Sequence, residues 1–381
     1  MKLGVGISTK NCEETIAQVI ETVDKGLSKY FPSSSCLIIV SDGFSEDKTR
    51  EIAIEKESRA EKIVVLQKGG PGKGNGVKTA LQIFKEKNVD AVALVDGDLT
   101  SIEPFWMERL FSPLLKGKDL CVPFYLRHPL DGVITNQIAY PLTSSLYGKE
   151  IRQPIGGEFS FSKKFLNSIL EHPLFPSDFG IDIFLTTVGV AENFSVTETV
   201  LGKKEHTSTR HYTEPAKLLV PMFYQVVTRL FELYLYYKEK ALRTSDIQSI
   251  PRYGEIPTGL SLPAPQPDLA LWKDYLKKDY EEIYLNSPLK EIFKEGGKEI
   301  EKNLKGKTFS FPAPLWAECV FVALLHYEEH RKKILDLLKV FWEARYISLI
   351  VESQGKKEEE MEEMIRDQLG IFLDLKKKYL C

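Results

Sequence analysis

The chain has 381 residues, with 51 lysines and arginines against 54 aspartates and glutamates, and its formal net charge is −3 at pH 7. This balance lacks the basic excess typical of nucleic-acid binding, so we expect no nucleic-acid partner. No apolar run is long enough for a membrane span, and the five scattered cysteines show no paired spacing. These features predict a cytoplasmic protein with reduced thiols and no membrane partner, and the length predicts two domains.

The first hundred residues alternate between apolar strand patterns and helical patterns. Strands are predicted over residues 3–7, 36–40, 63–66 and 91–95, and helices over 13–30, over 46–56 and after the glycine-rich segment 69–76. Apolar strands that alternate with helices are typical of a mostly parallel sheet covered on both faces. Ligands of such sheets bind at the carboxyl ends of the strands. Residues 8–10, Asp42, the glycine-rich segment and residues 96–98 all follow strands, so we expect them at one edge.

The triplet Asp96-Gly97-Asp98 follows an apolar strand directly. Two carboxylates in such a turn can hold a divalent cation against a diphosphate, because hard cations prefer oxygen ligands. An ordinary turn is the alternative, since Asp-Gly is common in turns. The position at a strand end favours a site for Mg²⁺ or Mn²⁺.

The glycine-rich segment 69–76 precedes a helix and contains Lys73. Glycines let a backbone approach phosphates, and a helix start with a lysine suits anions. The segment nearly matches a P-loop, but Val77 stands at the second glycine of that motif, which argues against an NTPase. A plain surface loop is the remaining alternative.

Helical patterns dominate from residue 214 onward, with helices predicted over residues 268–304, 315–352 and 356–378. We therefore predict an α/β domain over residues 1–212 and an all-helical domain over residues 213–381. Apolar residues of the helical part suit packing against the first domain or a homodimer or higher homo-oligomer, and the sequence does not separate these outcomes.

Several segments together resemble the mannosylglycerate synthase family of retaining glycosyltransferases. In chain order they are residues 71–76, residues 96–98, Arg127 with Asp131 and Ile134-Thr135, residues 153–158, residues 177–182, and Gly202-Lys203 with His206. The resemblance covers residues 1–230 well and the helical part more loosely, and it extends more distantly to the glucosyl-3-phosphoglycerate synthases. It implies a GT-A fold, which is a Rossmann-like domain for nucleotide-diphospho-sugars.

The resemblance also implies a role for each candidate residue. Asp98 and His206 would bind the metal, and Asp98, Asp182 and the Ile155 carbonyl would serve the reaction centre. The nucleotide sugar would contact Ser8, Lys10, Asp42, Gln67, Lys73, Asp96, Gly97 and Gly156. The acceptor would contact Arg127, Asp131, Thr135 and Gly157, and the planar fork of an arginine matches a carboxylate.

Two positions depart from the family pattern. Cys12 stands where these families usually carry a glutamate near the base, which leaves the base preference open. Val133 stands where the phosphoglycerate-using relatives carry an arginine that meets the phosphate of the acceptor. Because valine cannot pair with a phosphate, the pattern favours unphosphorylated glycerate.

The resemblance thus implies a retaining, divalent-cation-dependent hexosyltransferase. It would move mannose or glucose from a GDP-sugar to D-glycerate and make the compatible solute mannosylglycerate or glucosylglycerate. A first alternative keeps the fold and uses 3-phosphoglycerate or another small hydroxy acid as the acceptor. A remote alternative is a nucleotide-sugar-binding protein without catalysis.

Overall fold

The computed structural model describes residues 1–206, 219–257, 262 and 265–380. They form two compact units: a sheet unit of residues 1–127, 151–206 and 249–257, and a helical unit of residues 128–150, 219–248, 262 and 265–380. The predicted boundary between residues 212 and 213 lies outside the described residues, as does the start of the helical pattern predicted from residue 214. Residues 128–150 belong to the helical unit. The chain therefore passes through the helical unit and then returns to the sheet unit for the last strands of the sheet.

The strands and helices follow the predicted alternation closely. The strands are β1 (Lys2–Thr9), β2 (Ser35–Asp42), β3 (Glu61–Leu66), β4 (Ala91–Asp96), β5 (Leu120–Leu126), β6 (Lys149–Glu150), β7 (Ser160–Ser162), β8 (Val196–Lys203), β9 (Gln248–Ser249) and β10 (Arg252–Tyr253). The helices of the sheet unit are α1 (Ile16–Tyr30), α2 (Thr49–Glu55), α3 (Lys73–Glu86), α4 (Phe105–Leu115), α6 (Lys163–Glu171) and α7 (Ile181–Ala191). The last four residues of the glycine-rich segment are therefore helical, because they form the first turn of α3.

Eight strands form one mixed sheet in the order β10-β8-β5-β7-β4-β1-β2-β3. Only β7 runs antiparallel to its neighbours β4 and β5, so the predicted mostly parallel sheet is confirmed. In register, Ser8 at the end of β1 lies opposite both Ser41 on β2 and Asp96 on β4. The polar residues that follow these strands therefore share one edge, as expected.

Helices cover both faces of this sheet. On β1, Leu3, Val5 and Ile7 are fully buried in a core that also contains side chains of α1 and α4. The alternate residues Gly4 and Gly6 face α3, where a Cβ at Gly4 would lie 2.6 Å from the Phe84 ring. Burial of each large apolar side chain stabilises the unit by about 1.5–3 kcal/mol, so this two-sided packing holds the strand ends in place.

The helical unit contains α5 (Tyr140–Tyr147), α8 (Leu219–Tyr236), α9 (Lys238–Arg243), α10 (Leu269–Asp279), α11 (Lys294–Lys305), α12 (Ala313–Glu352) and α13 (Glu358–Leu380). The helix predicted over residues 268–304 is interrupted by a π-helical turn at Tyr280–Tyr284 and a 3-10 turn at Lys290–Phe293. The helix predicted over residues 315–352 is kinked at Arg331, whose φ is 31°. Within the described parts of the chain, no helix is long and apolar enough to cross a bilayer.

Aromatic side chains and one hydrogen bond tie the helical unit together. Trp316 and Trp342 of α12 are fully buried, and the Phe223 and Trp342 rings stack with centroids 4.6 Å apart. The Trp316 indole N–H donates to the Gln137 carbonyl at 2.7 Å, which joins α12 to the π-helical turn Thr135–Ala139. Segment 128–150 is thus packed into the helical unit by a buried tryptophan.

Candidate active site

The carboxyl ends of β1, β2 and β4 bring the first predicted donor residues together. Gly97 donates its N–H to the Ser8 carbonyl at 2.9 Å, which closes the turn after β4 onto β1. Asp42 ends β2 and is 2% exposed, and its Oδ2 accepts from the Ser45 N–H at 3.3 Å. Lys10 lies one residue beyond β1 with its side chain exposed. Ser8, Lys10, Asp42, Asp96 and Gly97 therefore lie at one edge.

The glycine-rich segment is held by two contacts that the sequence did not reveal. The Gln67 side-chain amide donates to the carbonyls of Gly70 and Gly72, which fastens the segment to the end of β3. A Cβ at Gly72 or Gly74 would lie 2.2 Å from the carbonyl oxygen of Ser177 or Pro176, respectively. These two glycines therefore admit the neighbouring backbone of residues 176–178, which gives them a packing role beside the expected phosphate role.

Lys73, the first residue of α3, joins two predicted site carboxylates. Its Nζ lies 3.0 Å from Asp96 Oδ1 and 3.1 Å from Asp182 Oδ2. Burial alone would lower the pKa of Lys73, but the charges of Asp182 and Asp96 raise that pKa well above its usual range. The α7 residue Asp182 and the β4 residue Asp96 are thus brought to one point by a lysine that stays charged.

The two carboxylates bonded to Lys73 differ in their electrostatics. Burial would raise the pKa of Asp96, but the charges of Lys73 and Lys204 outweigh burial and lower that pKa below its usual range. Burial raises the pKa of Asp182, and Lys73 only partly opposes it. Asp96 is therefore the stronger permanent negative charge and a suitable acceptor for hydroxyl donors of a ligand.

Lys204 and Glu158 form a second ion pair that was not among the predicted site residues. Lys204 Nζ lies 2.7 Å from Glu158 Oε2 and 3.5 Å from Asp96 Oδ2, and it donates to the Gly156 carbonyl at 2.8 Å. Glu158 is fully buried and also accepts from the Tyr125 hydroxyl. Burial raises the pKa of Glu158 to about 7, although Lys204 lowers it in part. We call Lys73, Asp96, Asp182, Lys204 and Glu158 the sheet-edge cluster.

A signal for the missed pair exists in the sequence. Glu158 lies two residues before β7, next to the apolar Phe159, and a charged side chain that becomes buried needs a partner of opposite charge. Lys204 directly follows the end of β8 at the ligand-binding edge. Searching strand ends for the missing cation would have suggested Lys204.

The backbone of residues 155–157 runs beside the sheet-edge cluster. Gly157 has a φ of 98°, and a Cβ there would lie 2.7 Å from Lys204 Nζ and 2.8 Å from Asp96 Oδ2. Ile155 is half-buried in the preceding turn, whose Pro154 carbonyl accepts from the Thr186 hydroxyl at 2.7 Å. A side chain at position 157 would press against Lys204 Nζ and Asp96 Oδ2, so the turn needs a glycine here.

Asp98 and His206, the predicted metal ligands, are neighbours. His206 Nδ1 lies 3.5 Å from Asp98 Oδ2, and a bridge between Leu99 and His206 aligns the two backbones. Both side chains are about one-fifth exposed, at 22% for Asp98 and 19% for His206. In the described part of the chain no group of three or more His, Cys, Asp or Glu residues is arranged to hold a metal ion. A cation bound by this pair would need further oxygen ligands from a bound molecule.

The predicted acceptor residues are divided between the two units. Arg127 and Gly157 belong to the sheet unit, whereas Asp131 and Thr135 belong to the helical unit. Asp131 accepts from the Gly132 N–H at 2.8 Å, and the Asn136 side-chain amide donates to the Asp131 carbonyl at 2.8 Å. The loop before the π-helical turn is thus held by its own hydrogen bonds, and the assignment of these four residues to one acceptor site stays a prediction.

The chain matches the model of a known protein family. The family model described as "Mannosylglycerate synthase, GT domain" matches residues 14–226, which is more than half of the chain. The chain belongs to this family. The family resemblance is therefore confirmed, and so are the α/β fold and the helical C-terminal region that the sequence patterns predicted.

Two curated relatives match this chain over part of their length. The glucosyl-3-phosphoglycerate synthase of Mycolicibacterium smegmatis is 29% identical over 198 residues, which are 48% of this chain and 62% of that protein. The mannosylglycerate synthase of Rhodothermus marinus is 30% identical over 138 residues, which are 34% of each chain. The matched regions thus span less than two thirds of these two relatives.

A solved structure also matches. The glucosyl-3-phosphoglycerate synthase from Mycobacterium tuberculosis, in complex with Mn²⁺, UDP and glucosyl-3-phosphoglycerate, is 26% identical to this chain. The match covers 61% of this chain and 79% of that one, with a TM-score of 0.49.

Proposed function

We propose that this protein is a divalent-cation-dependent glycosyltransferase that moves a hexose from a nucleoside-diphosphate sugar to a hydroxyl group of glycerate. The observation that carries the proposal is the sheet-edge cluster, in which Lys73 joins Asp96 and Asp182 at the carboxyl ends of the strands. Membership in the mannosylglycerate synthase family supports the reaction class.

The residues present fit a divalent cation. Asp98 and His206 supply one carboxylate and one imidazole 3.5 Å apart, and the diphosphate of the donor would supply further oxygen ligands. Such a cation, Mg²⁺ or Mn²⁺, stabilises the negative charge of a departing diphosphate. The Mn²⁺ in the M. tuberculosis relative supports this choice.

The chain's own side chains would bind and orient the sugar. Asp96, which Lys73 and Lys204 keep ionised, would accept hydrogen bonds from sugar hydroxyls. Asp182 would hold hydroxyls of the sugar and the acceptor, and Gly157 would let the ring approach its backbone. Catalysis is then mainly positioning together with electrostatic stabilisation of the leaving group.

The transfer would retain the anomeric configuration. The acceptor oxygen forms a bond to the anomeric carbon as the bond from that carbon to the diphosphate breaks, and the acceptor proton passes to the departing diphosphate. Asp182 forms an ion pair with Lys73 and has a raised pKa. We therefore assign it a role in binding the substrates and no role as a covalent nucleophile.

Two acceptors have support. Val133 is 2% exposed in the helical unit and offers no charge to a phosphate, which favours unphosphorylated D-glycerate. The similarity to glucosyl-3-phosphoglycerate synthases favours 3-phosphoglycerate as the second candidate. For the donor, GDP-mannose and GDP-glucose are the first to test, and the UDP of the M. tuberculosis complex makes UDP-glucose the next.

A donor–acceptor matrix with Mg²⁺ or Mn²⁺ tests the proposal, using GDP- and UDP-linked glucose and mannose against glycerate, 3-phosphoglycerate and lactate. We expect the highest kcat/KM with glycerate, and a clear preference for the phosphorylated acid would overturn the interpretation of Val133. Asp98→Ala and His206→Ala should each lower cation-dependent turnover by about a thousandfold. The exposed Asp274→Ala on α10 is the matched control and should leave turnover unchanged; full activity of both site variants would remove the cation site.

A further inference from the structure

Phe44 adopts a backbone conformation that a bulky side chain rarely takes. Its φ is 63°, in the left-handed region, two residues after Asp42 at the end of β2. Three other described non-glycine residues with positive φ are asparagines (Asn11, Asn88 and Asn193), which tolerate this region because their short polar side chains bond locally. Strain of this kind persists where the surrounding structure enforces it, and it gathers at functional sites.

Hydrogen bonds between two loops enforce the conformation. The Asn11 N–H donates to Ser45 Oγ at 2.9 Å, and the Glu46 N–H donates to Asn11 Oδ1 at 2.9 Å. The Ser45 N–H donates to Asp42 Oδ2 at 3.3 Å. On the other side of Phe44, the Gly43 N–H donates to the Thr9 carbonyl at 2.7 Å. The chain that follows β2 is therefore joined to the end of β1 on both sides of Phe44, and the strained residue is held at the ligand-binding edge of the sheet.

This strain does not bury the ring. The Phe44 side chain stays 37% exposed, whereas the two residues before Gly43 are closed in, with Ser41 at 0% and Asp42 at 2% exposure. In the described structure Ser41 Oγ and Asp42 Oδ1 have no hydrogen-bond partner. These two atoms are themselves buried, so the accessible part of this corner is the partly exposed Phe44 face, which suits a flat heteroaromatic ring.

We propose that the Phe44 ring is the platform on which the base of the nucleoside diphosphate stacks. The inference rests on the proposed function, which brings a nucleotide to this edge, and it adds a residue that determines nucleotide affinity. Stacking on an aromatic side chain tolerates any base, because every base has a π face. The ring accordingly contributes to affinity for both GDP and UDP, and nothing to the binding of a ligand without a base.

Three substitutions separate the ring from the strain. Phe44→Gly removes both, Phe44→Ala removes the ring but keeps a Cβ at positive φ, and Phe44→Tyr keeps both. Stability should follow the backbone, so Phe44→Gly melts at the same or a higher temperature than the parent, and Phe44→Ala melts below Phe44→Gly. Affinity should follow the ring, so Phe44→Gly and Phe44→Ala weaken nucleotide binding equally, and Phe44→Tyr binds as the parent does.

Calorimetric titration of the full chain with GDP, UDP and pyrophosphate, each with Mn²⁺, tests the inference. We expect Phe44→Gly to raise the Kd for GDP and UDP about tenfold and to leave the Kd for pyrophosphate unchanged. Asn88→Gly, at a left-handed position outside this edge, is the control for backbone relief and should change no Kd. Parent-like GDP and UDP affinity in Phe44→Gly overturns the inference alone, whereas a parent chain that binds no nucleoside diphosphate overturns the proposed function as well.

Discussion

The sheet unit and the helical unit each bury a lysine between two carboxylates, and the two arrangements differ in what surrounds them. In the helical unit, Lys339 of α12 pairs with Glu343 one turn later at 2.9 Å and with Asp279 at the end of α10. In the sheet unit, Lys73 pairs with Asp96 and Asp182. The helical group joins two packed helices, α10 and α12.

The sheet-edge cluster contains more charged side chains than the helical group. It adds Lys204 and Glu158 to the first three residues, and its members come from separate strands, helices and loops. Beside it lies Gly157, where no side chain fills the space between Lys204 and Asp96. A buried ion pair by itself therefore does not indicate a site. The distinguishing features are convergence at strand ends and a glycine that keeps the charges accessible.

The largest effects should come from replacing one buried lysine in each unit. Lys204→Met and Lys339→Met each leave a buried carboxylate without its partner, so each should lower the free energy of unfolding by about 3–5 kcal/mol. Only Lys204→Met should also abolish turnover by the folded protein, because only Lys204 contacts Asp96 and Gly156. Urea unfolding and kcat/KM at a temperature where both variants are folded measure the two effects.

Either of two results would break this comparison. Full turnover in Lys204→Met would remove the sheet-edge cluster from the reaction. Loss of turnover in folded Lys339→Met would extend the site into the helical unit.

A smaller effect should come from filling the space at Gly157. Gly157→Ala places a Cβ against Lys204 Nζ and Asp96 Oδ2, so turnover should fall about a hundredfold, beyond the cost of an alanine at positive φ. Gly117→Ala is the matched control, since Gly117 has a φ of 89° and no atom within 4 Å of its Cβ position. Gly117→Ala should lose about 1–2 kcal/mol of stability from the backbone alone, and Gly157→Ala should lose more because its Cβ also meets two charged atoms. Equal turnover in the two variants would show that Gly157 serves the backbone alone.

Much of the fold could be predicted from the sequence because its signals are local. The apolar runs at residues 36–40 and 91–95 lie within β2 and β4, and the register of β1 brings Ser8 and Asp96 to the one edge that was expected. The π-helical turn at Thr135–Ala139 has no such signal. Its hydrogen bond from Trp316 joins residues 179 positions apart, a contact that no local pattern encodes.

Some residues of the candidate site could also be predicted from local motifs, and others could not. Asp96, Asp98 and Lys73 stand in motifs that follow strands, so their positions could be foreseen. The partner of Glu158 could be narrowed only to a basic residue at a strand end, because Lys204 is 46 residues away and becomes a neighbour through the pairing of β5 with β8. The glycines at positions 72 and 74 were interpreted from local chemistry, and the approach of residues 176–178 is a tertiary contact that adds a second reason for them.

The smallest effect compares two buried glutamates by their response to pH. Burial raises the pKa of Glu158 to about 7 and that of Glu343 to about 8, from a usual value of 4.5. A carboxyl whose pKa is raised by folding binds more protons in the folded state. Its contribution to stability is therefore complete below pH 4.5 and is lost as the pH rises through 7 or 8.

Glu158→Gln and Glu343→Gln should each remove this loss, because glutamine does not titrate. Between pH 5 and pH 7 the free energy of unfolding of each variant should therefore fall by about 2 kcal/mol less than that of the parent. Only Glu158→Gln should also shift the pH profile of kcat/KM, because Glu158 is bonded to the Lys204 that contacts Asp96. Unfolding in urea and initial rates across this range measure both. An unchanged rate profile in Glu158→Gln would make that glutamate a buried structural charge of the same kind as Glu343, and the contrast between the two units would then rest on Lys73, Asp96 and Asp182.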